Sequence, residues 1–164
     1  ASKENEVEFL MNNMTVVDKL RVIDKLSKED IQALIYEMES HVSVQEQIEV
    51  PIEHHFSKGV YAREMRLPAG SLIVGKIHKH QNLNILSAGE VSVFSVDGVM
   101  RVQAPFTLVA QPGAKRVILA HTDVVWTTIH GTDETDLEKI ENEFIAKTYE
   151  EVIPIGDKEK LWLG

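Results

Sequence analysis

The chain has 164 residues, no cysteine, 43% hydrophobic residues, and 17 Lys and Arg against 26 Asp and Glu, for a net charge of −9. That length allows one domain with a sizeable core, and the missing thiols exclude disulfides, thiolate metal sites and cysteine nucleophiles. The acidic balance repels phosphate backbones and argues against general nucleic-acid binding.

No apolar run approaches the roughly 18 residues of a membrane span, so no membrane partner is expected. The start, Ala1-Ser2-Lys3-Glu4-Asn5-Glu6, is too polar for a secretory signal. With the absence of cysteine this fits a soluble, cytoplasmic protein.

Residues 1–45 form a helical extension by periodicity. Thr15 precedes Val16, Leu20, Ile23 and Leu26 with Asp18 at the capping-box position. Ser27 opens a second helix, with Asp30 three residues on and Ile31, Leu34, Ile35 and Met38 forming one apolar stripe. Such stripes must be buried, against the rest of the chain, a neighbouring subunit or a partner.

Residues 46–132 change to short strands. The expected strands are Ile48–Ile52, Val60–Leu67, Leu72–His80, Leu83–Leu86, Glu90–Val96, Val99–Gln103, Phe106–Ala110, Lys115–Ala120 and Val124–His130. Pro68-Ala69-Gly70, Ala88-Gly89, Asp97-Gly98 and Pro112-Gly113 punctuate them, Asp97-Gly98 being the strongest hairpin signal. Many short, evenly spaced strands indicate an antiparallel jelly roll or barrel. Residues 133–164 open on the capping box Thr135-Asp136-Leu137-Glu138, continue with Ile140, Phe144 and Ile145 on one helix face, and end in a tail with Pro154, Gly156 and Trp162.

Within Gly75-Lys76-Ile77-His78-Lys79-His80, positions 76, 78 and 80 share one face of an extended strand. Two imidazoles converging inside a barrel are half of a metal site. A third ligand is needed for firm divalent binding, and His130, on the last strand, is the candidate. His121 falls in a turn, and His54-His55 can place at most one ring inward. Tyr61 and Arg63 share one face of their strand and Glu64 takes the other; alternation alone leaves open which face lines a cavity. Trp126 reads as a core residue. No Gly-x-Ser-x-Gly elbow, phosphate loop or dinucleotide fingerprint is present.

From His54 to His130 the chain resembles the cupin superfamily. Pro68-Ala69-Gly70 leads into the strand ending His78-x-His80; Ala88-Gly89-Glu90-Val91-Ser92-Val93 follows; Phe106-Thr107-Leu108-Val109-Ala110-Gln111-Pro112-Gly113 is like the second motif. Tyr61-Ala62-Arg63-Glu64 and Val125-Trp126-Thr127-Thr128-Ile129-His130 look like small cupin proteins of bacteriophages and bacteria. The resemblance implies a mainly β, cupin-type double-stranded β-helix or jelly-roll barrel. It also implies a divalent metal (Fe, Mn, Zn or Ni). The chain departs from the family's metal pattern at two positions. Where the motifs carry a Glu and a third His stand Asn84 and Arg116. Asn offers an uncharged carbonyl; Arg cannot deprotonate and cannot be a ligand. The metal set thus reduces to His78 and His80 with at best Asn84, to which His130 or a Glu64 carboxylate would add a ligand, or to no metal.

Arg116, inward if it replaces a ligand, can hold a carboxylate or phosphate with two hydrogen bonds, or pair with Glu64. Lys76, Lys115, Arg116 and the histidines form a basic cluster within an acidic chain. The expectation is a barrel binding a small, anionic ligand through Lys76, Arg116, Asn84 and Tyr61. In an enzyme, His78 and His80 would hold the metal and Glu64 would act as base. The alternatives are a metal-dependent enzyme with a degenerate site and a non-catalytic phage or bacterial accessory protein that self-assembles. Exposed sheet edges and amphipathic helices point to a homo-oligomer.

Overall fold

In the computed structural model, residues 27–43 and 50–146 are described. The expected helix after Thr15 and the tail from Glu150 lie outside them. Helix α1 spans Lys28–Ser43 and α2 spans Leu137–Phe144. The strands are β1 (Ile52–Ser57), β2 (Val60–Leu67), β3 (Leu72–Val74), β4 (Ile77–His78), β5 (Asn82–Ala88), β6 (Glu90–Ser95), β7 (Gly98–Gln103), β8 (Phe106–Ala110), β9 (Val117–Ala120), β10 (Val124–His130) and β11 (Ile145–Ala146).

Two antiparallel sheets face each other, with orders β1-β2-β10-β5-β8 and β3-β9-β6-β7, and β11 pairs with β4 in a small third ladder. Setting β1 and the small ladder aside, eight strands remain, four to each sheet, and successive strands mostly switch sheets. Two wound four-stranded sheets of this order make a jelly roll.

The registers fix what faces inward. Tyr61 pairs with His130, Arg63 with Thr128 and Met65 with Trp126; on the next strand Thr128 pairs with Asn84 and Trp126 with Leu86. Directly paired residues share a face. One end of the interior is therefore apolar, built from Met65, Leu67, Leu86, Val91, Val93, Ile118, Ala120, Val124 and Trp126. The other end carries Tyr61, Arg63, Asn82, Asn84, Thr128 and His130.

The outer face of the four-stranded sheet is also apolar, and α1 covers it. Ile31, Leu34 and Ile35 pack on Phe94 and Val117. Ser27 caps this helix as expected: its Oγ donates to Asp30 Oδ2 at 2.7 Å and accepts from the Asp30 N–H at 3.2 Å. Lys115 is buried, ion-paired with Glu39 of the helix, and its Nζ lies 4.5 Å from the Tyr36 ring centroid.

Four local expectations need correction. The first strand among the described residues is Ile52–Ser57; of the expected Ile48–Ile52, residues 48 and 49 lie outside those described, and Val50 and Pro51 precede the strand. Leu72–His80 is not one strand: it breaks at Gly75-Lys76, because β3 pairs with β9 while β4 turns to pair with β11. A Cβ on Gly75 would lie 3.2 Å from the Arg116 carbonyl oxygen, so the side-chain-free residue suits this crossing. The β6–β7 turn is Val96-Asp97, with Gly98 at φ 114° opening β7 opposite Ser95. Asp136, not Thr135, caps α2, accepting from the N–H groups of Glu138 and Lys139, and Ile145 leaves the helix to pair with His78.

Candidate functional site

The polar end of the barrel is closed by α2 and β11. Ile140 and Phe144 are buried against Tyr61, and β11 is held to β4 by its pairing with Ile77 and His78. The Lys79 N–H donates to the Phe144 carbonyl at 2.7 Å, and Lys79 Nζ to the Asn142 carbonyl at 2.9 Å. The chain segment that follows the last barrel strand thus supplies a lid to the interior.

Under that lid runs a ladder of rings. Tyr61 and His130 have centroids 6.2 Å apart, His130 and His78 5.5 Å, and His130 and Phe144 4.4 Å, all near parallel. His80 meets the Phe144 edge at 5.7 Å. The Tyr61 hydroxyl is 2.8 Å from His54 Nδ1. His78 Nδ1 and His130 Nδ1 are buried, and neither has a hydrogen-bond partner among the described residues. A buried polar atom without a partner costs free energy, which marks a place where a ligand group would be stabilising.

Burial depresses both imidazoles. His78 is lowered to about 4, first by desolvation and then by His130, Arg116 and Arg63. His130 is lowered to about 4 by desolvation and by His80. Both rings are therefore neutral at pH 7, and each offers one N–H and one lone pair. Arg116 is also pulled down by burial, with Asp97 acting against it, yet a guanidinium stays charged. Burial raises the Tyr61 phenol, with Arg63 lowering it in part. Among the described residues no ion-pair or hydrogen-bond partner lies within bonding distance of the Arg63 or Arg116 guanidinium. The registers put no Asp or Glu on the inner face of β2, β5, β8 or β10.

The expected site residues divide. His78, His130, Tyr61 and Arg116 converge on the polar end. Asn84 is also there, but its Oδ1 accepts from Trp126 Nε1 at 3.1 Å and Thr128 Oγ1 at 3.0 Å, and its Nδ2 donates to Asn82 at 2.8 Å. Those two donors occupy the carbonyl lone pairs a metal would need. His80 is exposed beyond the end of β4 and does not join His78 on one strand face. Lys76 is exposed and ion-paired with Glu141 of α2. Glu64 is on the outer face of the sheet, its Oε2 accepting from Arg66 Nη2 at 3.0 Å, so it is not placed to act as a base inside. Arg63 is the interior residue that strand alternation left open, and the pairing of Tyr61 with His130 decides it.

A divalent metal at the expected three histidines does not fit this geometry. Among the described residues the group of three or more donors whose ligand atoms lie within 4.8 Å of one another is Glu53, His55 and Glu64, on the outside of β1 and β2. His78, His80 and His130 form no such group, and a cation between Arg63 and Arg116 would meet repulsion.

No family model matches the chain, and no curated protein matches it significantly. Solved structures do. A cupin domain from Bordetella pertussis is 16% identical over 54% of this chain and 98% of that one, with a TM-score of 0.42. An acetylacetone dioxygenase from Acinetobacter johnsonii is 17% identical over 50% of this chain and 59% of that one, at 0.44. Ectoine synthase from P. lautus is 12% identical over 62% and 78%, at 0.49. The fold here is a jelly roll, read from its own strand order and register. At these identities and TM-scores the three structures assign no activity or ligand to this chain.

Proposed function

We propose that the cupin-type barrel binds a small anionic ligand, a carboxylate or phosphate, between Arg63 and Arg116 at its polar end. The observation that carries this is two inward guanidiniums beside two partnerless imidazole nitrogens, with no carboxylate on the inner face of the five-stranded sheet. A guanidinium gives two parallel hydrogen bonds to either oxyanion, and neutral His78 and His130 can each add a donor. Phe144 and Tyr61 supply apolar walls that strengthen the charge contacts by excluding water.

Isothermal titration calorimetry with inorganic phosphate, citrate and glucose 6-phosphate, against neutral glucose, tests the reading. Binding of at least one anion and not of glucose is expected, lost in Arg116→Ala and Arg63→Ala. Equal heats for glucose, or anion binding untouched by both substitutions, would overturn it.

A second reading places a divalent metal on the outer Glu53–His55–Glu64 group. Zinc titration monitored by His55 resonances separates the two, since phosphate would leave those resonances unmoved.

A further inference from the structure

Strand β1 ends the five-stranded sheet, and all six of its residues are exposed. The other edge strands, β8, β3 and β7, are partly covered. On β1, Ile52 is 38% and Phe56 43% exposed, though both lie on the inward face with Tyr61 and Met65. Among the described residues nothing covers this apolar face or the unpaired backbone beside it. Open edges of this kind template the addition of another strand.

The backbone direction of that edge follows from the hairpin. The Pro51 carbonyl accepts from the Arg66 N–H at 3.0 Å, so residues 51, 53, 55 and 57 turn their backbone groups toward β2. Ile52, His54 and Phe56 turn theirs outward. Pro51, which has no N–H, therefore leaves no gap in the outward row.

We infer that β1 pairs antiparallel with β1 of a second copy of this chain, about a two-fold axis at His54. In that register His54 faces His54, Ile52 faces Phe56, and Glu53 faces His55. Each apolar residue meets an apolar one and each carboxylate meets an imidazole, as a self-complementary two-fold contact requires. Moving the axis by half a residue would set backbone groups already bonded to β2 against outward ones, while moving it a whole residue to Glu53 would set two carboxylates face to face. The two five-stranded sheets become continuous, and the exposed Phe56 rings, stacked on Tyr61 at 5.2 Å, gain an Ile52 from the other copy.

The test uses the full chain, whose lack of cysteine makes single thiols clean probes. Residues facing each other in such a pair have Cα atoms about 5.5 Å apart, within disulfide range. Oxidised His54→Cys is expected to cross-link as a dimer at low micromolar concentration, while Thr107→Cys on the β8 edge is not. Sedimentation equilibrium should show dimerisation weakened about tenfold in Glu53→Lys and in His55→Glu, since each altered pair occurs twice. Mixing those two chains should restore a heterodimer, an effect that a change within one chain would not produce. A wild-type monomer at 100 micromolar or so, a dimer that His54→Cys fails to lock, or equal cross-linking through Thr107→Cys would each overturn the assignment.

Discussion

The His78 and His130 rings lie 5.5 Å apart and 19° from parallel, each with a buried Nδ1 that no described residue satisfies. The pair is brought together by β4 and β10, strands with five others between them in the chain. Its consequences for stability, binding and packing can be measured separately.

Both rings titrate near 4 in the folded chain, below the 6.5 of an unfolded histidine. As pH falls from 6.5 toward 4 the unfolded chain takes up protons first, so stability is expected to drop across that window and level off below it. The urea midpoint followed against pH checks this. His78→Gln/His130→Gln should show a shallower slope than the wild type between pH 6.5 and 5, and identical slopes would sink the assignment.

Arg116→Lys keeps the charge but loses the planar fork. It is expected to bind the best anion of the calorimetric series about tenfold more weakly than the wild type, and Arg116→Ala more weakly still. Equal affinity in Arg116→Lys would show that charge alone suffices and that no bidentate contact is made.

Asn84→Ala removes the acceptor shared by Trp126 Nε1 and Thr128 Oγ1, leaving two buried donors. A loss of roughly 1–3 kcal/mol for each donor is expected in chemical denaturation. A loss well under 1 kcal/mol would mean the network relaxes onto other acceptors.

Glu39→Ala strips the partner from Lys115, whose residue is 5% exposed beneath α1. A buried cation left without its carboxylate is expected to destabilise the chain by about 3 kcal/mol. Lys115→Met/Glu39→Ala should recover most of that loss, because the uncompensated charge is then gone; no recovery would place the cost elsewhere.

Much of the barrel was legible in residue order. Val60–Leu67, Phe106–Ala110 and Val124–His130 begin and end where alternation and turn residues put them. Ser27 with Asp30 announced α1, and the His78 segment announced the polar end. These are local signals: two-residue alternation, a capping side chain, a glycine at a turn. They depend on neighbours in sequence and so can be read from it.

What sequence could not decide was which side of each strand faces in. Alternation sorts Tyr61 and Arg63 from Glu64, but both sets satisfy it equally. The pairing of Tyr61 with His130, far along the chain, turns Arg63 inward and Glu64 out. Likewise the change of partner from β9 to β11 at Gly75 releases Lys76 to the surface and leaves His80 beyond the strand end. Local periodicity determined the strands; long-range register, set by burying one face against the opposite sheet, decided which residues make the site.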